Sequence, residues 1–357
     1  MLGDARQGRR ERPYRPEWGI GLAHLCESWR YIVRWGAYLG DVAAMPVGGV
    51  DYPRTFRELE EWFSEEAACL EYLARLRWRD GFVCPRCGTT QAWKLSRGLW
   101  RCAGCRKETS VTAGTIFSAT RLPLTTWFAA SWYVTNQKLG VSALGLQRAL
   151  GLGSYETAWA VLHKLRRAMV RPGRERLAGA LEVDETYVGA ATRSSSGRGS
   201  GKAIVAIAVE ALPRGACGRV RLAHIPNVSG RVLTGFVSDS AEPGSVVATD
   251  HWQGYAGLGA AGFVHQATSV AASGDPAHVA MPRAHRVASL LKRWLLGTHQ
   301  GAVRPQQLAY YAYYLDEFTF RFNRRRATHR GLLFYRLLEQ AVELDHVSLT
   351  AIVGGRH

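Results

Sequence analysis

The chain lacks any uninterrupted apolar run near the ~20 residues that a membrane-spanning helix needs. Its N-terminus carries Arg6, Arg9, Arg10, Arg12 and Arg15 with no apolar stretch behind them, so no signal peptide is expected. Acidic residues are in short supply. There are 29 Asp and Glu against 46 Lys and Arg, giving a formal charge of +17 and a pI near 9.9. Such an excess favours a polyanionic partner, because each phosphate neutralised releases condensed counterions; a basic protein with no such partner is the alternative. Cysteine is also sparse, at seven in 357 residues. Cys26, Cys69 and Cys217 are scattered and odd in number, which argues against a disulfide framework and for a reducing, cytoplasmic setting. Internal repeats are absent, and low complexity is confined to the basic Ser/Gly stretch at 192–202. What remains is 47% hydrophobic and 10% aromatic, enough for two or three domains with their own cores.

The other four cysteines are organised. Cys84 and Cys87, then Cys102 and Cys105, form two Cys-x-x-Cys pairs separated by fourteen residues. Each pair can chelate one ion, and the spacer lets the pairs meet around a tetrahedral Zn²⁺. Their surroundings, Cys-Pro-Arg-Cys-Gly and Cys-Ala-Gly-Cys-Arg, are turn-forming, as zinc knuckles require. Redox-active or unbound dithiols are the alternative.

Six stretches follow from pattern and composition. Residues 1–54 are a basic extension and linker, punctuated by Gly48, Gly49 and Pro53. Residues 55–80 read as one amphipathic helix, acidic at its start and basic at its end, in line with the macrodipole. Residues 81–118 form the ribbon, with Trp93 and Trp100 on short strands. Residues 119–176 are helical. Within them, Val141–Leu150, a turn at Gly151 and a helix from Tyr155 capped by Ser154 resemble a helix-turn-helix. Lys164, Arg166 and Arg167 on its second helix are candidate DNA contacts; an ordinary helical hairpin is the alternative. Residues 177–345 change character, and 346–357 are a tail. Leu181–Val188, Ala203–Ala211 and Arg219–Ile225 read as three neighbouring strands. A helix near 228–237 and a strand at 245–249 follow. This is the element order of an RNase H-like α/β core, a mixed sheet with flanking helices.

Asp184 lies within the first of these strands, and Asp250 ends the fourth. A carboxylate inside an apolar strand must be paired or bind a cation. Two presented from neighbouring strands can hold divalent ions about 3.5–4 Å apart, an arrangement suited to phosphodiester transfer. Glu185 points to the opposite face and is not a co-ligand. Farther on, residues 286–330 carry nine basic side chains and only two acids, Asp316 and Glu317. Interleaved with Trp294 and the tyrosines of 310–314, this suits a helical surface on the DNA backbone, with Lys292, Arg293, Arg321, Arg324 and Arg325 as candidate contacts. The tyrosines themselves read as core.

Several segments are similar to bacterial insertion-sequence transposases of the insertion-sequence 1595 family. They are Leu181-Glu-Val-Asp-Glu-Thr-Tyr-Val-Gly189, Thr249-Asp250 with Gly254-Tyr255, His285 to His299 with its Leu-Lys-Arg, and Tyr314 to Arg325. The ribbon, Thr109 to Phe117, Tyr155 to Trp159 and His163 to Arg166 resemble that family's N-terminal half. The resemblance runs from about Met45 to Val342. It implies an RNase H-like catalytic domain with an acidic triad, Mg²⁺- or Mn²⁺-dependent cleavage at transposon ends, strand transfer into target DNA, and action as a homo-oligomer on double-stranded DNA. Asp184 and Asp250 match the first two triad members. The third position, seven residues before Lys292 and 35 after Asp250, is His285 rather than the expected carboxylate. Imidazole suits Mn²⁺ better than hard Mg²⁺. Glu317 and Asp275 are the other candidates. The departure keeps two further readings open: a DNA-binding protein of transposase origin whose site has decayed, and a structure-specific nuclease on the same fold.

Overall fold

A computed structural model of the chain describes residues 45–171, 173–189, 202–268, 281–299, 310–327 and 329–353. The N-terminal extension, most of the basic 192–202 loop and Asp275 lie outside the described residues.

The segment expected as one helix is two, α1 (Phe56–Trp62) and α2 (Glu66–Arg77). Thr55 caps α1 by accepting from the Glu58 backbone N–H at 3.1 Å. The break follows from packing rather than local propensity. Phe63, just past α1, leaves helical geometry and inserts between Tyr72 and Phe128, with ring centroids at 4.9 and 4.6 Å. Edge-to-face pairs of this kind favour aromatic insertion beyond simple burial.

The ribbon follows as β1 (Ala92–Lys94), β2 (Trp100–Cys102) and β3 (Glu108–Thr109), a three-stranded antiparallel sheet. Trp93 and Trp100 lie on its strands as expected. Trp100 stacks on Phe82 at 5.8 Å and meets Trp78, just past α2, at 5.3 Å, which fixes the ribbon to that helix.

Next come α3 (Leu124–Asn136), α4 (Ala143–Leu150) and α5 (Tyr155–Arg167). The expected helix, turn and helix form at α4 and α5. Ser142 and Ser154 cap the two N-termini, and Gly151 adopts the left-handed φ of +62° that ends α4. α5 is not free on one side, however. Ala158, Val161, Leu162, His163, Leu165 and Arg166 are all buried.

The second half is built on β4 (Ala180–Val188), β5 (Ala203–Ala211), β6 (Cys217–Ile225), β7 (Val246–Asp250) and β8 (Val264–Thr268). The sheet order is β6-β5-β4-β7-β8. β5 runs antiparallel to both β6 and β4, while β4, β7 and β8 run parallel to one another. The strands expected at 181–188, 203–211, 219–225 and 245–249 all form. β8 was not expected, because an edge strand of Val-His-Gln-Ala-Thr buries too little to show alternation. α6 (Gly230–Ser240) covers one face. On the other lie α7 (Pro282–Thr298) and α8 (Tyr311–Asn323), where Val205, Ile207 and Val209 of β5 meet Val287, Leu291 and Leu295.

α9 (Arg330–Glu343) leaves this half and joins the first. Phe334, Leu337 and Leu338 pack with Phe63, Tyr72 and Phe128. The approach is close: a Cβ on Gly331 would stand 1.9 Å from the Pro53 carbonyl oxygen. The expected tail folds back as α10 (Leu349–Val353), where Tyr310 donates to the Val353 carbonyl at 2.8 Å.

Between α5 and α8 lies a buried ion cluster. Arg166 Nε donates to Glu317 Oε2 at 2.7 Å, and Arg321 reaches Glu317 Oε1 at 2.7 Å. Burial works against the Glu317 charge, but Arg321 and Arg166 hold its carboxyl below the usual range. Removing one partner of such a pair leaves an unanswered charge in low dielectric. Glu317→Ala is therefore expected to lower unfolding free energy by about 3–5 kcal/mol in urea denaturation, whereas Arg166→Met with Glu317→Leu loses far less. Equal losses in the two variants would contradict this account.

Candidate active site

β4 carries three carboxylates, and alternation divides them between faces. Glu182 and Asp184 face α7; Glu185 faces the other way and accepts from the Tyr255 hydroxyl at 2.9 Å. Glu182 is 5% exposed. Its Oε2 accepts from the backbone N–H groups of Arg283 at 2.7 Å and Ala284 at 3.0 Å, and its Oε1 takes the Arg283 guanidinium at 2.6 Å. A strand carboxylate thus satisfies the orphan donors of the first turn of α7, which Pro282 also favours. Sequence reasoning missed Glu182. The available signal was its position two residues before Asp184, on the same face of an apolar strand.

That anchor fixes where α7 starts. One residue past Ala284, His285 brings its Nε2 to 3.7 Å from Asp184 Oδ2. Asp184 Oδ1 accepts from the Glu185 backbone N–H at 2.8 Å. On the other side stands β7. Its register pairs Glu182 with Ala248, so Asp250 lies at the level of Asp184 across two parallel strands. Asp250 Oδ1 accepts from the Trp252 N–H at 3.2 Å, and Thr249 is hydrogen-bonded with His265 of β8 at 2.8 Å. Burial pushes the Asp184 carboxyl up to about 6; Asp250 adds to the rise, while Lys292, two turns along α7, works against it. Asp184 and Asp250 on neighbouring strands, with the His285 imidazole beside Asp184, make up the candidate acidic group.

The remaining candidates separate. Glu317 is fully buried in its ion cluster, so it cannot complete the acidic group. Arg166, expected at DNA, is 2% exposed and held inside the fold by Glu317. Lys164 is half-buried over the Trp127 ring. Arg321 donates to the Val134 and Gln137 carbonyls as well as to Glu317, and Arg325 to those of Phe322, Gly218 and Cys217. These two tie backbone segments together, Arg321 half-buried and Arg325 exposed. Arg324 lies over the Phe320 ring at 4.2 Å. Arg167 and Lys292 remain half-exposed, and Arg293 is exposed. The tyrosines 311, 313 and 314 are core, as expected.

The four ribbon cysteines converge, with all four sulfurs within 4.8 Å of one another. Cys84 Sγ lies 3.6 Å from that of Cys105, and Cys87 Sγ 3.5 Å from that of Cys102. A tetrahedral Zn²⁺ with Zn–S near 2.3 Å needs sulfurs about 3.8 Å apart, so the cage fits. Thr89 holds the Cys87 thiol down to about 6, toward the thiolate that binds metal. Among the described residues, no helix is long and apolar enough to cross a membrane.

Two family models match the chain. Residues 64–108 match the transposase zinc-ribbon domain, and residues 176–323 match the ISXO2-like transposase domain. The class that these matches define is that of proteins built from transposase domains. Within it, the chain belongs to the insertion-sequence 1595 family, whose ribbon and transposase domain it carries in that order. A stretch of 132 residues is 30% identical to an uncharacterized protein in transposable element ISH50 of Halobacterium salinarum, covering 35% of this chain. The match spans 43% of that relative's length.

Two outcomes are expected. Purified protein should carry one Zn²⁺ per chain by elemental analysis, and Cys102→Ser should lose it; an unchanged metal content would refute the cage. For Asp184, the folded carboxyl holds its proton up to about 6, against an ordinary 3.8. Stability is then lost as pH rises through that window. In metal-free buffer, Asp184→Asn should stabilise the fold at pH 7 by up to about 3 kcal/mol, a gain that vanishes below about pH 4. A gain independent of pH would rule out this electrostatic origin.

Proposed function

We propose that the protein is a DNA transposase that binds the terminal inverted repeats of an insertion sequence and performs divalent-metal-dependent strand cleavage and strand transfer. The observation that carries this reading is the level placement of Asp184 and Asp250 on adjacent parallel strands, with His285 held at 3.7 Å from Asp184. The sheet order, three antiparallel strands followed by two parallel ones, supports an RNase H-like reading of the core.

In this reading Asp184 and Asp250 hold Mg²⁺ or Mn²⁺, which supplies a polarised phosphoryl group and an activated oxygen nucleophile. Asp184 must be ionised to do so. Its raised pKa makes a cation, rather than a proton, the natural counter-charge near neutral pH. His285 orients the attacking water or contributes a nitrogen donor, which favours Mn²⁺. Lys292 lies farther along the same helix face and balances the phosphate backbone beside the reacting bond. Water opens the phosphodiester to leave a 3′-OH, and that hydroxyl then attacks a target phosphodiester, expelling a new 3′-OH. The ribbon, Arg167 and Arg293 provide DNA contacts, and two ends held together call for more than one copy of the chain.

A second reading, a DNA-binding protein with an impaired site, is favoured by one observation: an imidazole stands where a carboxylate is expected. Both readings meet in one assay, joining of labelled element-end oligonucleotides with Mg²⁺ or Mn²⁺. Asp184→Asn and Asp250→Asn should each reduce joining by about a hundredfold or more with end binding retained. Unchanged joining would exclude this active site. If wild type binds ends without cutting while His285→Glu cuts, the second reading prevails.

A further inference from the structure

Where residues 169–171 and 174–175, β6, α8 and α9 meet, the protein encloses a cavity of about 530 Å³. It shares no lining residue with Asp184, Asp250 or His285. Seven arginines and three glutamates line it, an excess of four positive charges. Local pairs answer only part of that charge. Glu339 takes Arg79 and Arg336, Glu175 takes Arg171, and Glu210 takes Arg219. Among the described residues, Arg221 donates to the carbonyls of Val220 and Glu175. Among the described residues, Arg174 and Arg324 have no carboxylate within ion-pair distance. The acid acting on Arg174 is Asp316, whose carboxyl burial pushes up to about 7, so its charge is easily lost. Burial and neighbouring guanidinia also depress Arg221 and Arg324, each to about 10, which marks cations crowded against cations.

The cavity also holds an unused acceptor. Gln340 is 6% exposed, and its side-chain oxygen has no hydrogen-bond partner. Guanidinia without carboxylates call for an anion with several oxygens, since the planar fork matches phosphate. An orphan amide oxygen calls for an N–H or O–H donor on the same ligand. The volume lies within the ordinary range for small-ligand sites. We propose that this cavity binds one nucleotide, its phosphoryl oxygens on Arg174, Arg221 and Arg324 and a base or sugar donor on Gln340. The nucleotide can be a free nucleoside triphosphate or one unit of a DNA strand. Only the second source rests on the DNA reading above; the cavity's chemistry does not depend on strand joining.

Calorimetric titration of the full-length, zinc-loaded protein tests this without divalent cation and at about 0.1 M salt, where surface charge is screened. The probes are dATP, inorganic triphosphate and a 5′-phosphorylated dT tetramer. One saturable site is expected for dATP or the tetramer, tighter than for triphosphate. Preference for dATP assigns free nucleotide, and preference for the tetramer assigns a strand. Arg174→Gln with Arg324→Gln should weaken binding by about tenfold or more, with Arg57→Gln unchanged. Gln340→Leu should erase the advantage over triphosphate. If the double arginine variant fails to fold, protection of Arg174 and Arg324 in the wild type from phenylglyoxal by the bound probe reads the same contact. No binding of any probe, equal affinity for triphosphate, an equal loss in Arg57→Gln, or unprotected arginines would overturn the proposal.

Discussion

A buried strand that carries three carboxylates must find each of them a partner, and the second half of the molecule is arranged around that demand. β4 is the middle strand of its sheet, with little water to solvate a charge. Glu182 is answered by the first turn of α7 and by Arg283, Glu185 by the Tyr255 hydroxyl. Asp184 is left with a backbone N–H and a nearby imidazole, and its raised pKa records the deficit. The structural carboxylate and the candidate catalytic one stand two residues apart on one face. The first sets the start of the helix that brings His285 to the second, so the architecture of the site follows from satisfying Glu182.

Arginine shows how one residue type can serve unlike ends. Arg166 neutralises a buried glutamate, Arg321 and Arg325 bind backbone carbonyls, and Arg174 and Arg324 line a cavity with no acid among the described residues paired to them. The guanidinium's five donors and fixed fork permit all of these. A net charge of +17 is therefore not a count of DNA contacts. Along 286–330, Arg321 and Arg324 are partly drawn into the fold while Arg286, Arg293, Arg326 and Arg330 stay exposed, and Arg166 on the second helix of the helix-turn-helix-like pair is buried outright.

Local chemistry was legible where it is self-contained. The Cys-x-x-Cys spacing anticipated a sulfur cage, Gly151 and Ser154 marked helix ends, and apolar alternation and runs located β4 through β7. Other features carried no local signal. β8 is too polar for alternation to show, the break at Phe63 is set in part by the distant rings of Phe128 and Phe334, and α9 crosses to the first core through Phe334 and a close approach at Gly331. In each case a distant partner decided the outcome.

The sequence by itself determined the cysteine quartet and the strand positions of Asp184 and Asp250, because spacing and apolar pattern are properties of a single segment. Only the tertiary structure decided that Glu317 is an ion-pair partner rather than a triad member, that Glu182 anchors α7, and which arginines still face unfilled space. Charge has no fixed role until burial and neighbours set its dielectric and its partners, and those are properties of the folded chain alone.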